Sequence, residues 1–282
     1  MNEAPDTIDQ RPWLIATDLD GTLLDDSYPN QEAAQAIDKI QRANPEVDVV
    51  LVSSKTLAEM AAIAELTERK PYLIFENGGG VAWPAGRFVS GGERRVADYE
   101  VVILGASYQT IVAALQQLRG MGFAFTGFAD MRPREIADLT NLSLSNARLA
   151  SQRICSEPLS WQGQAERLQV FGAALERLGF TLQRGGRFYH VTSGNDKIKA
   201  LDFLRDKIRY ETGTLMRLLA CGDAPNDLAM LDKADHALVF PDRSGGYLRE
   251  VQAHVSHAPA AGPETWLTGV SELVDSAAPH TE

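Results

Sequence analysis

The chain has 282 residues, 44% hydrophobic and 23% charged, a balance that suits a globular protein of one large or two ordinary domains. Lys plus Arg number 27 against 38 Asp plus Glu, and the resulting net charge of −11 argues against nucleic acid or an anionic membrane surface as the main partner. The two cysteines, Cys155 and Cys221, lie in no CxxC pair and make no disulfide framework, and no apolar stretch approaches the ~20 residues of a membrane span.

The segment up to Arg11 is polar and acidic and has no apolar leader region, so the chain reads as cytoplasmic. The first predicted strand is Trp13-Leu14-Ile15-Ala16-Thr17, and it runs straight into Asp18-Leu19-Asp20-Gly21-Thr22. Side chains alternate along a strand, so Asp18 and Asp20 share a face until the glycine turns the chain. Two carboxylates at the exit of a buried strand repel one another, and a divalent cation is the usual remedy. One carboxylate can then act as a nucleophile and the other as a proton carrier.

Pro29-Asn30 opens a helical pattern over 31–43, with Ile37 and Ile40 facing inward. Val49-Val50-Leu51-Val52 is a wholly apolar, β-branched run, as expected of a strand buried on both faces. Ser53-Ser54-Lys55 ends it, and Thr56-x-x-Glu59 is a capping box that opens the next helix. Tyr72-Leu73-Ile74-Phe75 is a third strand and leads into Glu76-Asn77-Gly78. Strands alternating with helices predict a parallel sheet.

From about Pro84 the pattern changes to Gly-rich turns, amphipathic helices near 110–119 and 165–179, and strands at 123–125 and 188–191. An inserted α+β domain over 84–191 is therefore expected, within a core formed by 1–83 and 192–282. The phenylalanines 123, 125, 128 and 188 and Tyr189 are expected to form its core. The sheet pattern resumes with a helix over 197–207, a strand at 218–221 and Gly222-Asp223-Ala224-Pro225-Asn226-Asp227. A short helix near 228–231 and a strand at 237–240 follow; 258–263 reads as loop and the last few residues as a frayed tail.

Three apolar strands thus end in polar residues: Asp18 and Asp20, Ser53, and Asp223 with Asp227. In an open parallel sheet, ligands bind outside the carboxyl ends of the strands. A donor set of carboxylates and a backbone carbonyl suits Mg²⁺, and no His–Cys or His–His pair has the spacing of a zinc site. A carboxylate nucleophile, a hard cation, a hydroxyl and a lysine together make a phosphoryl-transfer set. Asp18 would attack phosphorus, and Asp20 would protonate the leaving oxygen. Ser53 also has a plain reading as a helix cap, with Ser54 as the working hydroxyl instead, and Lys197 one as a solvated helix residue.

These four elements (the Asp18–Thr22 run, the strand-ending hydroxyl, a lysine opening a helix, and Gly222-Asp223-x-x-Asn226-Asp227) resemble the motifs of the haloacid dehalogenase (HAD) superfamily. The resemblance implies an α/β fold, a Rossmann-like parallel-sheet core with an inserted α+β cap of type IIB. Ser53-Ser54-Lys55-Thr56, Glu76-Asn77-Gly78, Ser156-Glu157-Pro158 and Gly186-Arg187-Phe188-Tyr189-His190 resemble, more narrowly, the mannosyl-3-phosphoglycerate phosphatase family. It implies Asp18 as nucleophile, Asp20 as acid/base, Ser53 as phosphate-binding hydroxyl and Lys197, with Lys199 its nearest rival, as the motif lysine. It also implies Mg²⁺ on Asp18, Asp20 and Asp223, with Asp227 behind or through water. The substrate contacts it points to are Ser54, Lys55, Glu76, Asn77 and Asn226 in the core, and Arg153, Arg187 and His190 in the cap. Arg has the fork that fits a glycerate carboxylate. The implied substrate is a phosphorylated sugar, mannosyl-3-phosphoglycerate first, with a glucosyl-3-phosphoglycerate or broader sugar-phosphate phosphatase as the alternative. A phospho-accepting signalling module is disfavoured by Asp20 and the inserted domain. The sequence leaves the oligomeric state open.

Overall fold

The computed structural model describes residues 9, 11–25, 27, 30–185, 187–249 and 251–275; Pro29, Gly186, His280 and most of both terminal segments lie outside them. In chain order the elements are β1 (Trp13–Thr17), α1 (Asn30–Ala43), β2 (Asp48–Val52), α2 (Leu57–Ala64), β3 (Tyr72–Phe75), β4 (Gly80–Pro84), β5 (Arg94–Val96) and β6 (Tyr99–Ile103). There follow α3 (Tyr108–Gly120), β7 (Phe125–Gly127), α4 (Pro133–Thr140), α5 (Leu144–Ala150), β8 (Glu157–Trp161), α6 (Ala165–Arg177), β9 (Thr181–Arg184) and β10 (Tyr189–Thr192). The chain ends with α7 (Lys197–Thr212), β11 (Arg217–Gly222), α8 (Leu228–Asp232), β12 (His236–Val239), β13 (Val255–His257) and α9 (Pro263–Asp275).

The chain packs as two compact units, one built from residues up to Leu51, Ile63–Tyr72 and Phe203 onward, the other from Val52–Ala62 and Leu73–Asp202. In the first, β13, β12, β11, β1 and β2 lie side by side in that order, every pair parallel. The apolar run of β1 pairs Leu14 with Leu218 and Thr17 with Cys221 on one side and Ile15 with Val49 on the other. A central strand has neighbours on both edges and cover on both faces, and every residue of β1 is buried. Helices α1 and α9 pack on each other, α1 burying Ile37 and Ile40 and α9 burying Trp266, Val270 and Val274.

In the second unit β3, β4, β6 and β5 form antiparallel pairs. Strands β7, β8, β10 and β9 make a separate four-stranded antiparallel sheet. Helices α3 and α6 cover one face of it around Ile111, Leu115, Phe123, Phe125, Phe171 and Leu175. Phe128 and Phe188 are not in that core: they pack edge to face at 5.2 Å in a second cluster with Ile136 of α4 and Ala147 of α5. The α/β class, the parallel sheet and the α+β insertion match the expectation from sequence.

Several element bounds shift for physical reasons. The strand expected from Phe123 begins at Phe125, because Gly122 (φ 84°) closes α3 and the Phe123 amide still bonds the Leu118 carbonyl. Helix α7 runs on to Thr212, where Gly213 (φ 72°) ends it. Helices α4, α5 and α9 and strands β4, β5, β6, β8, β9 and β13 were not anticipated. Among the described residues no helix is long and apolar enough to cross a membrane.

Candidate functional site

In the first unit, Asp18 leaves β1 and Asp223 leaves β11, its parallel neighbour, and the Asp18 amide continues the ladder to the Cys221 carbonyl at 2.9 Å. Asp18, Asp223 and Asp227 each offer a carboxylate oxygen within 4.8 Å of the others. Asp18 and Asp227 are buried. Asp227 Oδ2 accepts from the amides of Asp223 (3.3 Å) and Ala224 (3.1 Å), which fixes the turn that presents Asp223. Thr22 Oγ1 donates to Asp223 Oδ1 at 3.2 Å. Two glycines make this crowding possible. Gly21 (φ 87°) lies so close to Asp223 that a Cβ would sit 2.6 Å from Oδ2, and one on Gly222 would sit 2.7 Å from the Asp227 Cβ.

Behind Asp18, Thr17 Oγ1 donates to the Asp18 carbonyl at 2.8 Å and accepts from Trp266 Nε1 of α9 at 3.0 Å. In front, a cavity of about 760 Å³ is lined by Asp20, Gly21, Asp25 and Asp223 and by the loop from Pro241 to Gly245, which brings Arg243 to it. Asp242 shapes that loop by accepting from Ser244 Oγ, the Ser244 amide and the Gly246 amide, and these bonds hold its carboxyl below the usual range. A hard oxygen donor set of this span fits a six-coordinate ion with ~2.1 Å bonds, whose opposite ligands stand about 4.2 Å apart. Asp18, Asp223 and Asp227 each offer one such oxygen, and Asp227 Oδ2 already accepts from two backbone amides.

The other expected residues lie in the second unit. Ser53 follows β2, is buried, and its Oγ accepts from the Lys55 amide at 3.2 Å. The predicted capping box is present: Thr56 Oγ1 accepts from the Glu59 amide and the Glu59 carboxylate accepts from the Thr56 amide. Lys197 opens α7 and is buried, while Ser54, Lys55 and Asn77 are half-buried. Glu76 is fully buried, with its carboxylate engaged by the 154–156 segment, and Arg153 donates to Ser54 O at 3.2 Å and Ser156 Oγ at 2.5 Å. Arg187 is exposed and donates to the Leu139 carbonyl at 3.2 Å. His190 sits on the face of its sheet opposite the α3–α6 core; among the described residues its buried Nδ1 has no hydrogen-bond partner. Burial, then the Arg153 charge, pull its pKa down to about 4, so the ring is neutral near pH 7. In the first unit, Asn226 is exposed in the turn before α8.

The sequence model of the haloacid dehalogenase-like hydrolases matches residues 15–91 of this chain. Solved structures match nearly all of it. A phosphatase of the HAD enzyme superfamily from Bacteroides thetaiotaomicron covers 96% of this chain and 99% of its own at 16% identity, with a TM-score of 0.64. A second haloacid dehalogenase-like hydrolase from that organism covers 93% and 98% at 18% identity, TM-score 0.62. A protein from Thermotoga maritima covers 93% and 96% at 19% identity, TM-score 0.61. The fold is that of the haloacid dehalogenase superfamily.

Within this HAD fold several residues escaped the sequence reading. Thr22 belongs to the Asp18–Thr22 run, yet nothing in sequence says that its hydroxyl meets a carboxylate 201 positions away. Asn195 donates to the carbonyls of Glu76 and Cys155 at 2.9 and 3.1 Å, and Ser156 Oγ donates to Glu76 at 2.6 Å. Arg243 lies in a loop with no motif. Trp266 did leave a signal, because Trp266, Val270 and Val274 repeat at helical spacing behind Pro263.

Proposed function

We propose that this HAD-fold protein is a magnesium-dependent phosphomonoesterase working through an aspartyl phosphate, with mannosyl-3-phosphoglycerate as substrate and mannosylglycerate and phosphate as products. The observation that carries the reading is the meeting of Asp18, Asp223 and Asp227 within 4.8 Å, beside a cavity that Asp20 and Asp223 line. The general activity is further supported by the phosphatase of the same fold from Bacteroides thetaiotaomicron. The substrate rests on the sequence resemblance alone.

In this reading a carboxylate oxygen of Asp18 attacks phosphorus while Asp20 gives a proton to the departing C3 oxygen of the glycerate. Asp20 then takes a proton from water, which attacks the aspartyl phosphate, releases phosphate and frees Asp18. Asp18, Asp223 and the Asp20 carbonyl, with Asp227 behind, would hold magnesium, which would supply positive charge against the phosphate oxygens. Ser53 and Lys197 are proposed as the phosphate-binding hydroxyl and cation, and residues 84–191 as the cap over a core of 1–83 and 192–282. Ser54, Lys55, Asn77, Arg187, His190 and Asn226 are the proposed substrate contacts.

The test is phosphate release from mannosyl- and glucosyl-3-phosphoglycerate and from simple sugar phosphates, with and without Mg²⁺. Asp18→Asn should lower turnover by at least ~10³-fold, because the amide cannot attack phosphorus. Turnover of simple sugar phosphates but not of the mannosyl compound would overturn the substrate alone. No release from any of them, or an Asp18→Asn variant as active as the parent, would overturn the mechanism.

A further inference from the structure

We propose that Glu76 is a positioning residue: it ties into one rigid unit three segments of the second unit, the Ser53–Lys55 loop, the 154–156 segment and the start of α7 at Lys197. This rests on the phosphatase reading for what those segments bind, and on geometry for the coupling. Glu76 and Asn77 both adopt left-handed backbone (φ 50° and 57°), and Gly78 follows at φ 87°. Two successive non-glycine residues in that region are strained, and such strain persists only where the surroundings impose it. Here they do so from three sides.

The Glu76 amide donates to the Lys55 carbonyl and the Asn77 amide to the Ser53 carbonyl, both at 2.9 Å, so the turn grips the Ser53–Lys55 loop through its backbone. The fully buried Glu76 carboxylate accepts from the amides of Ile154 (2.7 Å) and Cys155 (3.0 Å) and from Ser156 Oγ (2.6 Å), and Arg153 Nε stands 3.5 Å away. Arg153 closes the ring by donating to the Ser54 carbonyl. The Glu76 carbonyl accepts from Asn195 Nδ2, and a Cβ on Gly78 would lie 2.2 Å from the Asp196 carbonyl and 2.9 Å from the Lys197 amide. The turn is therefore packed directly against the start of α7. A carboxylate saturated in this way acts on a bound phosphate through its neighbours.

The experiment compares the parent with Glu76→Gln and Arg153→Met, whose folding is checked by circular dichroism, and with Arg153→Lys as the conservative control. Amide hydrogen exchange should rise in Glu76→Gln at 154–156 and also at 55–57 and 196–198, with the segments around Asp18 and Asp223 unchanged. Arg153→Met, which keeps the carboxylate but loses the bonds to Ser54 and Ser156, should loosen 55–57 and 154–156 and leave 196–198 as in the parent, and Arg153→Lys should restore them. Inhibition by inorganic phosphate should weaken about tenfold in Glu76→Gln, the scale of one lost buried charge-assisted bond, at unchanged Mg²⁺ affinity. Faster exchange confined to 154–156, or phosphate inhibition equal to that of the parent, overturns the proposal. A parent that neither turns over phosphate esters nor binds phosphate, yet shows the spread of exchange, overturns the phosphatase reading and leaves the coupling in place.

Discussion

Replacing Glu157 by glutamine is expected to change how stability depends on pH. Glu157 lies on β8, only 1% exposed, where Oε1 accepts from the Ala129 amide and Oε2 from the Tyr108 hydroxyl, both at 2.8 Å. Burial pushes its carboxyl from 4.5 up to about 7; the two hydrogen bonds and the Arg153 charge oppose this, and Asp130 adds to it. The folded pKa is above the unfolded one, so the folded state holds the proton more tightly. The stabilisation is fully present below about pH 4.5 and is lost as pH rises through about 7. At about 1.4 kcal/mol per pH decade that interval caps the effect near ~3 kcal/mol. Glutamine keeps the shape and the acceptor for Ala129, turns its amide toward Tyr108, and cannot ionise. Urea unfolding followed by tryptophan fluorescence should therefore show Glu157→Gln gaining on the parent between about pH 5 and 7 and levelling off above that. A stability difference that stays constant across that range would refute the buried-acid account.

Truncating Phe171 to alanine removes a fully buried ring that packs at 5.3 Å on Phe123 and Phe125 and at 5.1 Å on Trp161. It should cost about 3–5 kcal/mol in denaturant unfolding, and a loss under about 1.5 kcal/mol would mean the layer can collapse around the void. Gly21→Ala places a Cβ 2.6 Å from Asp223 Oδ2 on a backbone at φ 87°. Beyond about 1–2 kcal/mol of backbone strain, it must push that carboxylate off its position. Mg²⁺ affinity measured by calorimetry should fall about tenfold, and an unchanged affinity would count against Asp223 as a ligand.

Local pattern alone carried the strands around Ile15, Val50 and Leu219. A strand in the middle of a parallel sheet must be apolar on both faces, and few other structures tolerate such runs. For the same reason the acidic residues at the tips of β1 and β11 were legible, since a carboxylate beside a buried run stands out. Helix α9 has regular spacing yet lies outside the motifs, and α4 and α5 are short pieces that pack on each other and around Phe128 and Phe188. What sequence could not contain is distance across the chain. Thr22 reaches Asp223, Trp266 reaches Thr17, and Glu76 collects amides from 154 and 155. Glu76 reads in sequence as a polar loop residue open to a ligand. Only the tertiary fold turns it inward, because a buried carboxylate is tolerable where enough donors converge on it, and those donors come from segments far apart in the chain.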